Sequence, residues 1–219
     1  MTQTDTILGL LPDAFDAVVA ANGELPTGGI ALEVLSKARF LCCCDGAGER
    51  LSALGYMPDV IVGDGDSMSA AFRESHAGII EKVDEQDDND LTKATRLCMR
   101  HGFRRIAYVG ATGLREDHTL GNLFLLPRYR REFGLLPVML SDYGCFIPAS
   151  GDTVFTTFAR QQVSIFNVSC SHLSGEGLRW QPYAYSQMWQ GTLNEALGDT
   201  VVMHGDGDYI MYFTHEAKR

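Results

Sequence analysis

No run of apolar residues in this 219-residue chain approaches the roughly 20 needed to cross a bilayer. The opening Met1-Thr2-Gln3-Thr4-Asp5 has neither the basic start nor the apolar stretch of a secretory signal. Basic residues are scarce: 18 Lys and Arg face 28 Asp and Glu, a formal net charge of −10 at pH 7. That balance argues against broad binding to nucleic-acid phosphates or anionic lipid, which rewards clustered Lys and Arg. It leaves room for a cationic ligand or metal ions. The six cysteines, Cys42, Cys43, Cys44, Cys98, Cys145 and Cys170, contain no Cys-x-x-Cys spacing, so neither a zinc site nor a disulfide scaffold is favoured. They read as buried reduced thiols of a cytoplasmic protein. Repeats and low-complexity linkers are also missing. What remains is an ordinary globular mix, 45% apolar and 21% charged, able to bury a substantial core.

Short apolar runs alternate with helical patterns over the first two-thirds. Phe15–Ala21, Phe40–Cys44, Asp59–Val62, Ile79–Val83 and Arg105–Val109 read as strands, with helices through Ala38, over Leu91–Arg100 and over His118–Phe133. This alternation predicts parallel βαβ units in a Rossmann-like open sheet covered by helices on both faces. After about Leu136 the texture changes. Val138–Leu140, Thr153–Phe158, Gln162–Val168, Thr200–His204 and Tyr209–Phe213 read as strands between Gly, Asp and Ser turns, predicting a small antiparallel β-sandwich or barrel. The boundary falls softly within Ser141–Gly151, giving an α/β domain over 1–145 and a β-sandwich over 146–219.

Ligands of open α/β sheets bind beyond the carboxyl ends of the strands. Here those ends carry Asp45, then Asp64 and Asp66, then the acidic cluster Asp87–Asp90, then Gly110-Ala111-Thr112-Gly113 leading to Asp117. In Gly63-Asp64-Gly65-Asp66-Ser67 the two carboxylates stand two positions apart and, in an extended segment, point the same way. Such hard oxygen ligands suit Mg²⁺ held together with substrate phosphates. A plain turn is the competing reading, since Gly and Asp are turn residues. Asn89 or Asp90 fits an N-cap before Leu91, and Asp90 shares a helical face with Lys93, whose ammonium could reach a phosphate. Gly110–Asn122 is a strand, glycine-bearing loop and helix start, where backbone N–H groups can cradle phosphate and Arg115 could clamp it. It lacks the GK[ST] ending of a Walker A loop and the GxGxxG of a dinucleotide fingerprint. His118 reads first as a structural hydrogen-bonding residue, with proton transfer the rarer role.

Taken together and in this order, Cys44–Leu51, Pro58–Ser67, Gln86–Ala94 and Gly110–Leu123 resemble the thiamin pyrophosphokinase family, which moves a pyrophosphoryl group from ATP to thiamin. The resemblance continues weakly to the C-terminus. It implies an N-terminal α/β catalytic domain, a C-terminal β-sandwich, and a homodimer with thiamin near the subunit interface. It further implies Mg²⁺ on Asp64 and Asp66 with Asp90, and Lys93 beside them in the catalytic set. Asp45, Gly46, Gln86, Asp87, Thr112, Arg115, Asp117, His118 and Asn122 then fall to the nucleotide. Asp90, Thr192 and Asn194 fall to thiamin. The family's Asp-Gly-Gly-Ala stands here as Asp45-Gly46-Ala47-Gly48, and its usual Thr before the acidic residue is Asn89. In Gly191–Glu195 the family's Ser is Leu193, which has no hydroxyl, so Thr192 or Asn194 would have to substitute.

The physical account runs beside this. ATP phosphates need cations, and the thiamin hydroxyl would attack the β-phosphorus in line with AMP leaving, so positioning and electrostatics carry most of the rate and no general base is assigned. Thiamin's thiazolium is a permanent cation for which Trp180 or Trp189 could supply an aromatic wall, although packing in the core is the commoner fate of Trp. Two rival readings stay open. One is another Mg²⁺-dependent nucleotide or phosphate enzyme with an Asp-x-Asp site, such as a nucleotidyltransferase, phosphohydrolase or sugar transferase. The other is a non-catalytic thiamin- or nucleotide-binding protein.

Overall fold

The structure, a computed structural model, describes residues 14–83, 85 and 87–217. Its N-terminal part follows the order β1 (Ala17–Ala20), α1 (Gly29–Ser36), β2 (Leu41–Cys44), α2 (Gly46–Ala53), β3 (Val60–Gly63), α3 (Ala70–Ser75) and β4 (Ile80–Lys82). Then come α4 (Asp90–Arg100), β5 (Arg105–Val109), α5 (Glu116–Phe133) and β6 (Leu136–Leu140). Strands β1 and β2 are buried at every residue, as continuous apolar runs must be in a parallel sheet covered on both faces. The period of two sorts them into layers. Val18, Ala20, Leu41, Cys43 and Ile61 pack with Val34, Leu35 and Leu51 of α1 and α2. Ala17, Val19, Cys42, Cys44 and Val62 pack with Leu97, Leu126 and Tyr129 of α4 and α5. The three consecutive cysteines therefore divide between the layers, and all six are free and buried.

The C-terminal part comprises β7 (Gly144–Ser150), β8 (Thr153–Thr156), β9 (Gln161–Asn167), β10 (Leu173–Glu176), β11 (Asn194–Glu195), β12 (Thr200–Gly205) and β13 (Asp208–Ala217). Strands β8, β12 and β10 form a three-stranded antiparallel sheet. It faces β7, β13 and β9 across a shared core that includes Phe155, Val163, Ile165, Val201, Met203 and Met211. This is the expected sandwich.

Two features depart from the sequence reading. Leu136–Leu140 is not the first strand of the sandwich but the sixth parallel strand, paired with β5. Gly144–Ser150, which read as boundary, is β7, and it pairs antiparallel with β6 at Met139↔Phe146 and Leu140↔Cys145 and with β13 over seven residues. One ten-stranded sheet, β11-β9-β13-β7-β6-β5-β1-β2-β3-β4, thus runs through the expected boundary. Pro148 hid this strand, yet it is tolerated because β6 pairing has ended by then and β7 has β13 as its remaining neighbour.

Candidate active site

The chain moves outward from β1 through β2, β3 and β4, then returns to the other flank of β1 as β5 and β6. The switch point lies between β1 and β5, where loops leaving the carboxyl ends part and leave a crevice. Its floor is tied backbone to backbone: Gly23 N–H donates to Gly110 O at 2.7 Å and Glu24 N–H to Thr112 O at 2.8 Å. A side chain at Gly23 would begin 2.5 Å from both of those carbonyl oxygens, so only glycine allows the approach. From α2, Arg50 donates to Asn22 O, Asn22 Oδ1 and Gly23 O, fixing the same loop. A cleft of about 440 Å³ opens above, walled by Asp45, Ser67, Asp90, Arg115, His118 and Asn122 among others.

Asp45 ends β2 and stands before α2 with φ 40° and ψ −120°, far from the left-handed basin a non-glycine residue tolerates. The residue is 5% exposed. Its Oδ2 accepts from Ser67 N–H at 3.0 Å, whereas Oδ1 is buried without a partner. Gly46 follows in contact range of Asn22 and Ser67, where a Cβ would crowd both.

Asp64 and Asp66 occupy the next loop. The segment is a turn and not the extended stretch that would align the two carboxylates: Gly65 has φ +87° and Asp66 N–H donates to Asp64 Oδ1 at 3.1 Å. Arg73 holds the turn through Gly65 O. Asp64 and Asp66 do not wall the cleft, but Ser67 of the same loop does. Among the described residues no three His, Cys, Asp or Glu side chains are grouped so as to hold a metal ion, so Asp64, Asp66 and Asp90 are not a preformed cage.

At the start of α4 the N-cap is Asn89, whose Oδ1 accepts from Thr92 N–H and from the Thr92 hydroxyl. Asn89 Nδ2 donates to Asn122 Oδ1, and Asn122 Nδ2 donates to Ala111 O, so the expected nucleotide contact Asn122 spends both amide groups joining α4, α5 and the β5 loop. Lys93 is almost fully buried, with Nζ 3.2 Å from Oδ1 of the half-exposed Asp90. The Cys44 thiol donates to Asp90 O at 3.6 Å. Burial pushes that thiol well above its ordinary range, so it lines the cleft as an inert group. Asp87 is exposed, while its neighbour Asp88 is clasped by Arg96 and Arg128. Gln86 lies outside the described residues.

At the head of α5, Arg115 and Asp117 form a two-armed ion pair with each other, and Arg115 holds the Asp117 carboxyl down to about 2. Asp117 also accepts from His118 N–H at 2.9 Å. The His118 residue is exposed at the rim, and Thr112 accepts Glu24 N–H through its carbonyl.

Thr192 and Asn194 stand apart in the sandwich. Asn194 accepts from Trp180 N–H and Glu195 N–H and donates to Trp180 O at 2.7 Å, and Thr192 Oγ1 donates to Trp189 O at 2.7 Å. Both thus shape the loop that carries the tryptophans. Those indoles are not core: Trp180 is 51% and Trp189 72% exposed, because the loop between β10 and β11 turns them outward. Sequence reasoning passed over Asn22-Gly23 and gave Ser67, within the Gly63–Ser67 motif, no role of its own. An Asn-Gly pair directly after the first apolar run was the available signal for the former. It also passed over Asp142, which accepts from Thr27 and Gly28 and so sets the entry of α1.

Comparison with known proteins agrees with this fold. A family model described as thiamin pyrophosphokinase, catalytic domain, matches residues 31–135, and one described as thiamin pyrophosphokinase, substrate-binding domain, matches 144–212. Thiamine pyrophosphokinase 1 of Oryza sativa subsp. japonica is 31% identical over 151 residues, 58% of this chain and 55% of the relative. Its Arabidopsis thaliana counterpart is 33% identical over 138 residues, 52% of this chain and 51% of the relative, so the matched stretches span about half the length of these relatives. The solved thiamin pyrophosphokinase of Candida albicans superposes with a TM-score of 0.76 at 17% identity, covering 92% of this chain and 90% of that one. With both halves matched in chain order and the same fold throughout, the chain belongs to the thiamin pyrophosphokinase family.

Proposed function

We propose that this protein transfers the pyrophosphoryl group of ATP to the hydroxyl of thiamin, giving thiamin diphosphate and AMP. The observation that carries the reading is the joint one: family matches over both halves, with the switch-point cleft walled by Asp45, Asp90, Arg115 and His118. The thiamin hydroxyl oxygen bonds to the β-phosphorus, the bond from that phosphorus to the α–β bridging oxygen breaks, AMP keeps the bridging oxygen, and the hydroxyl proton is released.

Mg²⁺ is the cation this site suits. The donors at hand are hard carboxylate oxygens, and one of them, Asp45 Oδ1, is buried without a partner. Magnesium is commonly held by one or two carboxylates plus substrate phosphates, so a three-carboxylate cage is not required of the protein alone. Asp64, Asp66 and Asp90 are the residues assigned to hold it. When bound, it neutralises charge developing on the phosphoryl oxygens. Lys93, buried beside Asp90 at the N-terminal turn of α4, offers its ammonium to the same phosphates. Asn89 and Asn122 hold the two helix starts at a fixed separation, which is a positioning role.

In this reading thiamin lies toward the sandwich, where the exposed Trp180 and Trp189 rings offer faces to a thiazolium cation. A homodimer would cover this surface, which also exposes Tyr183, Met188 and Leu193. No helix among the described residues is long and apolar enough to cross a membrane, and the free cysteines suit the reducing cytoplasm. Incubation of the purified protein with Mg·ATP and thiamin, followed by chromatography, tests the reaction. Thiamin diphosphate with equimolar AMP is expected. Release of pyrophosphate, phosphate or a sugar nucleotide, or saturable thiamin binding without turnover, would point to the rival classes.

A further inference from the structure

Asn22 and Gly23 follow β1 and line the floor of the cleft. Nη1 of Arg50, on α2, donates to Asn22 O at 3.1 Å, to Asn22 Oδ1 at 3.0 Å and to Gly23 O at 2.8 Å. The two carbonyl bonds hold the loop, as do the backbone ties of Gly23 and Glu24 to Gly110 and Thr112. The bond to Oδ1 does something further. A guanidinium carries N–H donors and no acceptor, so the amide atom that faces it has to be the oxygen. The Asn22 nitrogen then faces the opposite way. There Nδ2 lies against Gly46, where a Cβ would sit 2.8 Å from it and 3.0 Å from Ser67 Cβ and O. Glycine at 46 thus keeps open the corner between the start of α2 and Ser67. Asn22 is exposed, and its Nδ2 has no acceptor among the described residues. The arrangement sets a neutral N–H donor of fixed orientation on the wall of a cleft that also carries Asp45 and Asp90.

We propose that Asn22 Nδ2 donates a hydrogen bond to a phosphoryl oxygen of a bound polyphosphate, and that Arg50 is a positioning residue that stops the amide from turning over. The class of ligand follows from the chemistry of the donor and its place. An N–H group needs an acceptor, and an anionic oxygen makes the stronger bond. The first turn after a strand at the switch point of a doubly wound sheet is where a pyrophosphate approaches the backbone. Lys93 and Arg115 are already ion-paired with Asp90 and Asp117, whereas the Asn22 amide is not engaged on its nitrogen side. Turned over, the same amide would set Oδ1 against the phosphate and Nδ2 against the guanidinium, which is repulsive at both ends. One rotation of the terminal amide therefore separates a wall that attracts phosphate from one that repels it, and Arg50 selects between them. The inference rests on the pyrophosphokinase reading only for the polyphosphate being that of ATP.

The test is calorimetric titration of the full chain with Mg·ATP and, separately, with Mg·tripolyphosphate, in wild type, Asn22→Asp, Arg50→Gln and Arg50→Lys. Asn22→Asp keeps the size of the side chain and keeps an oxygen on Arg50, so its melting temperature should not fall below wild type. It removes the donor and turns a carboxylate oxygen toward the phosphate, so Kd for both ligands should rise about 30-fold. Arg50→Gln lets the amide turn and should raise both Kd values about fivefold, while Arg50→Lys, still donor-only, should restore most of the loss. Equal affinity in wild type and Asn22→Asp, nil included, overturns the contact, as does a fall in melting temperature that accompanies the loss of binding. Weakening toward ATP with tripolyphosphate unaffected overturns the phosphoryl assignment. Wild-type binding by Arg50→Gln, or no recovery in Arg50→Lys, overturns the positioning role. The product assay separates this from the wider reading. A wild type that binds both ligands through Asn22 yet forms no thiamin diphosphate upholds the contact and overturns the pyrophosphokinase. A wild type that forms thiamin diphosphate while Asn22→Asp binds as tightly does the reverse.

Discussion

Two buried aspartates, one in each half of the molecule, are treated in opposite ways. Asp208, 8% exposed at the start of β13, receives the Arg131 guanidinium from α5, and its backbone N–H and carbonyl are engaged by Ser169 and Val168. Asp45, equally buried, has one carboxylate oxygen gripped and the other left bare on a backbone a non-glycine residue avoids. The first arrangement serves the fold, because every polar atom that burial takes from water is given a partner. The second leaves a demand that a ligand can meet, which is the usual mark of a site under functional constraint.

The comparison can be broken or sharpened by substitution. The largest effect is expected on the ligand side. Asp64→Asn or Asp66→Asn should lower AMP formation by about 10²- to 10³-fold, the scale of losing one transition-state contact, while the melting curve stays within a degree or two of wild type. Near-normal turnover would remove both residues from the metal set. Next comes Lys93→Ala, which should raise KM for ATP about tenfold, since the lost contact is to phosphate. Unchanged ATP kinetics would leave Lys93 as a partner of Asp90 alone.

On the fold side, Asp208→Ala should lower the melting temperature by about 2–4 °C and spare kcat, because the Arg131 end of the pair is more than half exposed and water screens it. A loss of turnover without a loss of stability would erase the contrast between the two aspartates. The smallest effect concerns Asp117, whose carboxyl Arg115 holds at about 2 against an ordinary 3.8. A depressed carboxylate contributes stability that is fully present above its unfolded value and is lost as pH falls through the folded one. Arg115→Gln should therefore flatten the stability curve slightly between about pH 4 and pH 2 and leave it unchanged at neutrality. An identical acid limb in variant and wild type would show the pair to be without effect.

Much of the α/β half was legible in the sequence because parallel strands buried on both faces leave uninterrupted apolar runs, as in Ala17–Ala20 and Leu41–Cys44. The polar residues that follow such runs must lie at the carboxyl rim, which is what puts Asp45, Asp90 and the Gly110–Gly113 loop on one edge of the sheet, whereas Asn122, within α5, is singled out only by the family resemblance. Strand β7 was not legible: turn-forming Ser141, Asp142 and Gly144 precede it and Pro148 interrupts it, and only pairing with β13 makes it a strand. Nor was the outward face of Trp180 and Trp189, since burial of an aromatic is decided by which loop carries it. The Asp64–Asp66 turn was one of two local readings, and Gly65 with its positive φ decided between them. The bare oxygen of Asp45 has no sequence signature at all. It depends on where Ser67 N–H falls after the chain has closed around β3.

The hairpin from β6 to β7 has a mechanical meaning. Because hydrogen bonds continue across it, the sandwich is bolted to the α/β half along a strand and is not hung from a linker. A rigid-body swing of one half over the other would require breaking the ladder. Enclosure of a bound molecule then falls to short segments at the rim, notably 63–69 and 110–118, and heating should dismantle both halves in a single cooperative step.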